Sequence, residues 1–154
     1  MEKIESFRVN HLTLKKGLYV SRRDSMGDTH VTTFDIRLTA PNVDKPVDSD
    51  ALHTIEHIFA TFLRNSNEKD KIIYFGPMGC RTGCYLVTFG KLNPEDVYPL
   101  IVDACNYLIN FEGEIPGSKM EECGNYSEQN LPLAKQFIKA YLVELQAYKR
   151  FKYE

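Results

Sequence analysis

Along residues 50–65 the apolar positions fall at Leu52, Ile55, Phe59, Phe62 and Leu63, the three-to-four spacing of one helix face. Asp48, Ser49 and Asp50 offer N-cap groups, and the helix is predicted to run to about Asn65. At about 100° per residue its wheel divides into three sectors rather than two. Thr54, Thr61 and Asn65 make a wet stripe opposite the apolar one, and His53, Glu56, His57, Ala60 and Arg64 fill the sector between. A plain surface helix needs only an apolar and a polar face. The third sector therefore marks this helix as the place to look for chemistry.

The remaining pattern is mixed. In residues 4–14, Val9, His11 and Thr13 alternate with Asn10, Leu12 and Leu14, which predicts a strand or extended arm ending at Gly17. Leu18 to Ser21 starts a second strand, with a turn over Ser25-Met26-Gly27-Asp28. Val31 to Thr39 is the clearest strand, with Phe34, Ile36 and Leu38 on one face and Thr33, Asp35 and Arg37 on the other. Ile72 to Phe75 is a short apolar strand. Gly76-Pro77-Met78-Gly79 interrupts it, and Cys84 to Gly90 resumes the extended pattern.

Asn93-Pro94 opens a second helix with a core face of Val97, Ile101, Ala104, Cys105 and Leu108. Pro99 is a candidate break in its first turn. Ser118-Lys119-Met120-Glu121 matches a capping box, predicting a short helical turn before Cys123-Gly124. Asn130-Leu131-Pro132 opens a last helix to about Arg150, striped by Leu133, Phe137, Tyr141, Leu145 and Tyr148. Strands and helices without strict alternation predict an α+β fold, a mainly antiparallel sheet with helices packed on one side, in a single domain over residues 1–154. A parallel doubly wound sheet is the alternative, but no glycine-rich phosphate loop follows a strand.

Composition narrows the function classes. The chain has 154 residues, 43% hydrophobic and 26% charged, with a net charge of −2. That suits one ordinary globular core. No Lys/Arg block offers a track for phosphates, which argues against a nucleic-acid partner. The first residues, Met1-Glu2-Lys3-Ile4-Glu5, lack an apolar signal core, and no apolar run is long enough to span a bilayer. The expectation is a cytoplasmic protein with no membrane partner. In that reducing setting Cys80, Cys84, Cys105 and Cys123 read as thiols or metal ligands rather than disulfides.

His53-Thr54-Ile55-Glu56-His57 then acquires a chemical meaning. Two imidazoles one turn apart can hold one metal ion, and the carboxylate beside them can move protons. The plain alternative is two solvated or core-bonded histidines. A metal needs a third ligand, for which Cys80, Cys84, Cys123, Glu121 and Glu122 are candidates. Cys80 lies in Gly76-Pro77-Met78-Gly79-Cys80-Arg81-Thr82-Gly83, a tight backbone path that presents a thiol at a bend, with Arg81 near enough in sequence to favour a thiolate. Cys84 opens a strand and Cys105 falls on a helix core face, so both read as packing. Cys123, at the end of a helical turn before Gly124, suits a ligand or a cap equally.

Together these pieces resemble the S-ribosylhomocysteine lyase (LuxS) family. The resemblance runs through Glu5-Ser6-Phe7 with His11, Phe34-Asp35-Ile36-Arg37, Pro41-Asn42, His53-Thr54-Ile55-Glu56-His57, Pro77-Met78-Gly79-Cys80-Arg81-Thr82-Gly83 and Cys123-Gly124-Asn125-Tyr126, in the family's order and spacing. It implies that His53, His57 and Cys123 bind one divalent metal, iron(II) with zinc or cobalt as substitutes. It implies Cys80 and Glu56 as the acid/base pair, and Ser6, His11 and Arg37 as substrate contacts. It implies a homodimer in which the N-terminal arm of one subunit reaches the metal site of the other. The activity implied is release of homocysteine and 4,5-dihydroxy-2,3-pentanedione from S-ribosylhomocysteine by carbonyl migration and β-elimination.

The chain departs from the family pattern at Tyr74 and Gly76, where an acidic residue and a serine are usual. It departs again at Cys84, where an aromatic is usual, and at Asn10, where aspartate is common. Two other classes stay open on the residues alone. One is a zinc-stabilised interaction module with no open coordination position. The other is a small metallopeptidase, in which a glutamate would replace Cys123 as ligand.

Overall fold

A computed structural model describes residues 1–154. Four strands, β1 (Gly17–Met26), β2 (Thr29–Arg37), β3 (Ile72–Pro77) and β4 (Gly83–Phe89), form one sheet in the order β1-β2-β4-β3, every pair antiparallel. Gly27 sits at φ +57°, the positive φ that lets a two-residue turn join β1 to β2. Three helices, α1 (Ser49–Asn65), α2 (Pro94–Ile109) and α3 (Leu131–Tyr148), pack on one face of the sheet. The α+β expectation is met.

The alternation seen in the sequence of β2 explains that layering. Phe34 and Ile36 are fully buried and join Leu18, Leu86, Ile55, Phe59, Ile101 and Tyr141 in one core of 25 buried residues. The opposite face of the sheet carries no helix. There Tyr19, Asp35 and Tyr85 lie opposite one another across β1, β2 and β4. Asp35 and Arg37 are nonetheless 1% and 3% exposed. They are buried as a pair, Arg37 Nε donating to Asp35 Oδ1 at 3.0 Å and a terminal nitrogen to Oδ2 at 2.6 Å. The burial is tolerable because each charge is met in bidentate geometry.

Several elements differ from expectation. Residues 4–14 form no strand. Glu5–Phe7 is a single 3-10 turn, and the backbone N–H groups of Thr13 and Leu14 return to the Asn10 carbonyl at 3.3 and 3.2 Å. The Asn10 side chain also accepts from Leu12 N at 3.0 Å, a local alternative to a ladder. Pro99 does not break α2, because it lies on the exposed side, where water can meet the carbonyl it frees. The segment around 118–123, by contrast, makes the expected single helical turn, Glu122 N and Cys123 N both donating to Lys119 O at 3.0 and 3.1 Å. The buried stripe of α3 is Ala134, Ile138, Tyr141, Leu142 and Leu145, and Tyr148 is exposed. At the start of α1, Asp48 occupies the cap position, but its carboxylate bonds Lys45 at 2.8 Å rather than a helix N–H.

Thr54 is the most instructive difference, since it alone of the wet stripe is buried. The chain entering α3 crosses it, so Thr54 Oγ1 donates to Gln129 Oε1 at 2.7 Å and accepts from Asn130 N at 2.9 Å. Thr54→Val keeps the volume and strands both partners. Urea unfolding should show a loss of about 1–3 kcal/mol, and no loss would mean water replaces the hydroxyl.

Candidate metal centre

α1 brings His53 and His57 together as the spacing predicted. Their rings stand 4.4 Å apart, centroid to centroid, at 88°. Each ring is oriented by a backbone carbonyl from outside the helix. His53 Nδ1 is 2.7 Å from Glu128 O, and His57 Nδ1 is 2.7 Å from Pro116 O. A carbonyl can only accept, so both Nδ1 atoms carry the proton and both Nε2 lone pairs are left free to ligate. Such outer partners set the tautomer and raise the ligand's basicity.

Cys123 completes the set. The ligating atoms of His53, His57 and Cys123 all lie within 4.8 Å of one another, a group that could hold a metal ion. Cys123 Sγ is 3.5 Å from His53 Nε2. Two ligands on one tetrahedral ion, with bonds of about 2.05 and 2.3 Å, would stand about 3.6 Å apart. Asn125 N also donates to Sγ at 3.4 Å, which fixes the direction of the sulfur. The donor set therefore fits a metal by spacing and by chemistry. Neither Glu121 nor Glu122 belongs to the cluster.

The loop that carries Cys123 depends on Gly117. Its φ is +70°, and a Cβ there would meet His57 Nδ1 at 2.8 Å. Gly117→Ala should push the ring off the Pro116 carbonyl and weaken metal affinity by roughly 10–100-fold, the usual effect of losing an outer partner. Competition with a chromophoric chelator measures it; unchanged affinity would mean the loop absorbs the methyl.

A cavity of about 310 Å³ opens beside the cluster, walled by His53, Glu56, Met78, Gly79, Arg81 and Asn125. Glu56 is thus placed beside the imidazoles, facing space a ligand could fill. A wider cleft of about 640 Å³ at Phe62, Tyr107 and Phe111 contains no imidazole or thiol.

Cys80 sits on a separate element, between the cavity-lining residues Gly79 and Arg81. The turn joining β3 to β4 is closed by Arg81 N to Met78 O at 2.9 Å and Met78 N to Gly83 O at 2.9 Å, with Arg81 at φ +58°. Cys80 Sγ is 3.1 Å from Thr82 Oγ1, which itself accepts from Arg37 at 2.7 Å. Partial burial alone would raise the thiol's pKa. The hydroxyl and backbone N–H of Thr82 and the charge of Arg37 outweigh that and hold it below the ordinary thiol value. The expected cation, Arg81, is not the one that acts on the sulfur; Arg81 lines the cavity.

Ser6 lies near the Tyr85 phenol, on the same open face as Asp35 and Arg37. Burial, then Asp35 and Cys80, raise the Tyr85 pKa, while Arg37 and Ser6 lower it. Arg37, Cys80 and Ser6 therefore gather on the open face. His11 is half-buried with its Nδ1 bonded to Val9 O at 2.9 Å, and is not part of the His53, His57 and Cys123 cluster. Cys84 and Cys105 are buried in the core with strongly raised pKa values, as packing thiols should be.

Residue identity did not disclose several parts of this arrangement. The carbonyls of Glu128 and Pro116 carry no side-chain signature. Spacing alone marks two further parts: Thr82 stands two residues after Cys80, and Asp35 two residues before Arg37 on the same face of a strand.

A sequence model of the S-ribosylhomocysteinase (LuxS) family matches residues 4–151 of the chain. The S-ribosylhomocysteine lyase of Clostridium beijerinckii is 49% identical to it over 94% of this chain and 92% of that protein. The S-ribosylhomocysteine lyase of Finegoldia magna is 51% identical over 92% of this chain and 90% of that protein. That of Porphyromonas gingivalis is 47% identical over 94% and 92%.

Proposed function

Because the chain belongs to the S-ribosylhomocysteinase (LuxS) family, we propose that it is a metal-dependent lyase that splits S-ribosylhomocysteine into homocysteine and 4,5-dihydroxy-2,3-pentanedione. The observation that carries the reading is the convergence of His53, His57 and Cys123 beside a cavity walled by Glu56. His53, His57 and Cys123 hold a divalent ion, iron(II) in preference to zinc or cobalt. When bound, the ion supplies a Lewis acid for sugar oxygens and leaves a coordination position for substrate.

The chemistry explains why proton carriers are needed. The homocysteine sulfur is on C5 of the ribose, while the carbonyl starts at C1. A thioether leaves readily only when it is β to a carbonyl. The carbonyl must move from C1 to C2 and then to C3. Each move takes a proton from the carbon α to the carbonyl and returns one to the neighbouring carbon. With the carbonyl at C3, loss of the C4 proton breaks the C5–S bond and homocysteine leaves with the electron pair. The resulting enol collapses to the dione.

Cys80, with its depressed pKa, takes and returns the carbon-bound protons. Glu56 moves hydroxyl protons and serves the elimination. Arg37, Ser6 and His11 hold the substrate. A hydrolase would have no use for a second carrier of this kind, which weighs against the peptidase reading. A cluster of three ligands rather than four, with a cavity beside it, weighs against a purely structural zinc site.

A second copy of the chain fits the same reading. One face of the sheet has no helix, and Ile4, Phe7 and Leu12 of the N-terminal arm are 59%, 69% and 80% exposed. In the homodimer this arm reaches the metal site of its neighbour, bringing Ser6 and His11 to it. No helix is long and apolar enough to cross a membrane. The deciding experiment incubates metal-loaded protein with S-ribosylhomocysteine and measures free homocysteine thiol. Release supports the lyase reading, and its absence overturns it.

A further inference from the structure

The chain after α3 turns back along the sheet. Lys149 adopts φ +43° at the helix end, and Arg150 O then accepts from Leu18 N of β1 at 3.0 Å. This path lays Tyr153 over Tyr19, with ring centroids 4.7 Å apart and planes 20° from parallel. The Tyr153 hydroxyl donates to Asp35 Oδ2 at 2.8 Å. Residue 153 lies outside the residues matched by the family model, which end at 151. The family match therefore does not extend to this contact.

The Asp35 contact is the outer end of a continuous line. Asp35 Oδ2 also accepts from Arg37 at 2.6 Å, Arg37 donates to Thr82 Oγ1 at 2.7 Å, and Thr82 Oγ1 stands 3.1 Å from Cys80 Sγ. Because the Thr82 oxygen already accepts from the guanidinium, its own proton is free to point at the sulfur. We propose that Tyr153 is a positioning residue for Cys80, acting through Asp35, Arg37 and Thr82.

Asp35 has one charge to share. The Tyr153 hydroxyl takes up part of it, so less is spent on Arg37 and more of the guanidinium field reaches Thr82 and the sulfur. Burial and the neighbouring carboxylate keep the Tyr153 phenol protonated and so a donor. The other titratable group beside the sulfur is Tyr85, whose raised pKa keeps it neutral; Arg37 is the cation that faces it. Tyr19, pushed up to about 12 mainly by burial, is also neutral and serves as the stacking surface.

The proposal rests on the reading of Cys80 as a proton carrier, but its test need not. Alkylation of Cys80 by iodoacetamide across pH, followed on the Cys80 peptide by mass spectrometry, reads the thiolate without reference to turnover. In metal-loaded Tyr153→Phe the stacking ring remains and the hydroxyl is gone. The midpoint should rise by about half a unit, leaving about threefold less thiolate at neutral pH. If Cys80 carries protons, kcat falls by the same factor at neutral pH and recovers at higher pH, while KM holds.

Thr82→Val should raise the midpoint further. In the double variant the Tyr153 increment should shrink to less than half its single size, because the line is already cut. A midpoint unchanged in Tyr153→Phe, or fully additive shifts, overturns the proposal. Full turnover in Cys80→Ala would instead remove the proton-carrier reading, and the alkylation shift would still stand as a property of the thiol.

Discussion

Cys80→Ala is expected to lower homocysteine release by about 10²–10⁴-fold, the contribution of a well-placed proton carrier, with metal content equal to that of the parent protein. The two halves of this result come from different geometry. The sulfur of Cys80 lies against Thr82, and Cys80 is not one of the three residues whose ligating atoms cluster. Removing it leaves the carbonyl tethers of His53 and His57 and the Cys123 loop in place. Metal analysis and thiol release on the same sample check the two halves together. Parent-level turnover would take Cys80 out of the mechanism, and loss of metal would place it among the ligands.

Cys123→Ala is expected to give the opposite signature, with metal and turnover lost together. Cys123 is the one thiol of the three clustered residues, and its loop approaches α1 so that Sγ reaches 3.5 Å from His53 Nε2. Two neutral imidazoles remain, a pair that binds divalent ions far less tightly than a set containing a thiolate. The fall in affinity should exceed the roughly 10–100-fold that follows from losing an outer partner, which sets this variant apart from Gly117→Ala. Metal-to-protein ratio after gel filtration is the measurement. A ratio equal to that of the parent would exclude Cys123 as a ligand and return the acidic residues nearby to consideration.

The parts of this molecule that could be read from the sequence are those set by local periodicity. The helix bearing His53 and His57 was legible because its apolar stripe and its cap residues lie within one window. The core and open faces of β2 were legible from strict alternation at Phe34 and Ile36 against Asp35 and Arg37. Tertiary contacts decided the rest. Thr54 reads as a wet position until the chain before α3 crosses it. Asn10 has strand neighbours but bonds its own turn. The buried stripe of α3 is shifted because α3 packs against both α1 and α2, which a helix wheel read alone does not include.

At the site the division is similar. The thiol at the bend was legible from three glycines and a proline. Sequence adjacency points to Arg81 as the cation, whereas β2 and β4, paired at Arg37 and Gly83, deliver Arg37. The residue with the longest reach, Tyr153, has no signal in its local sequence at all. It matters only because the chain doubles back over β1.

The tethering of His53 and His57 by main-chain oxygens has a consequence for how this protein can change over generations. The acceptors at Pro116 and Glu128 are supplied by backbone, so many substitutions at those positions would leave both tethers in place. Insertions and deletions are another matter. The stretch from 116 to 128 is held at both ends by imidazoles one helical turn apart and carries Cys123 between them. A change of one residue in its length would pull an oxygen from a ring or the sulfur from its place. Apart from Gly117 and Cys123, spelling there is less constrained than length, the reverse of what is usual for a surface connection.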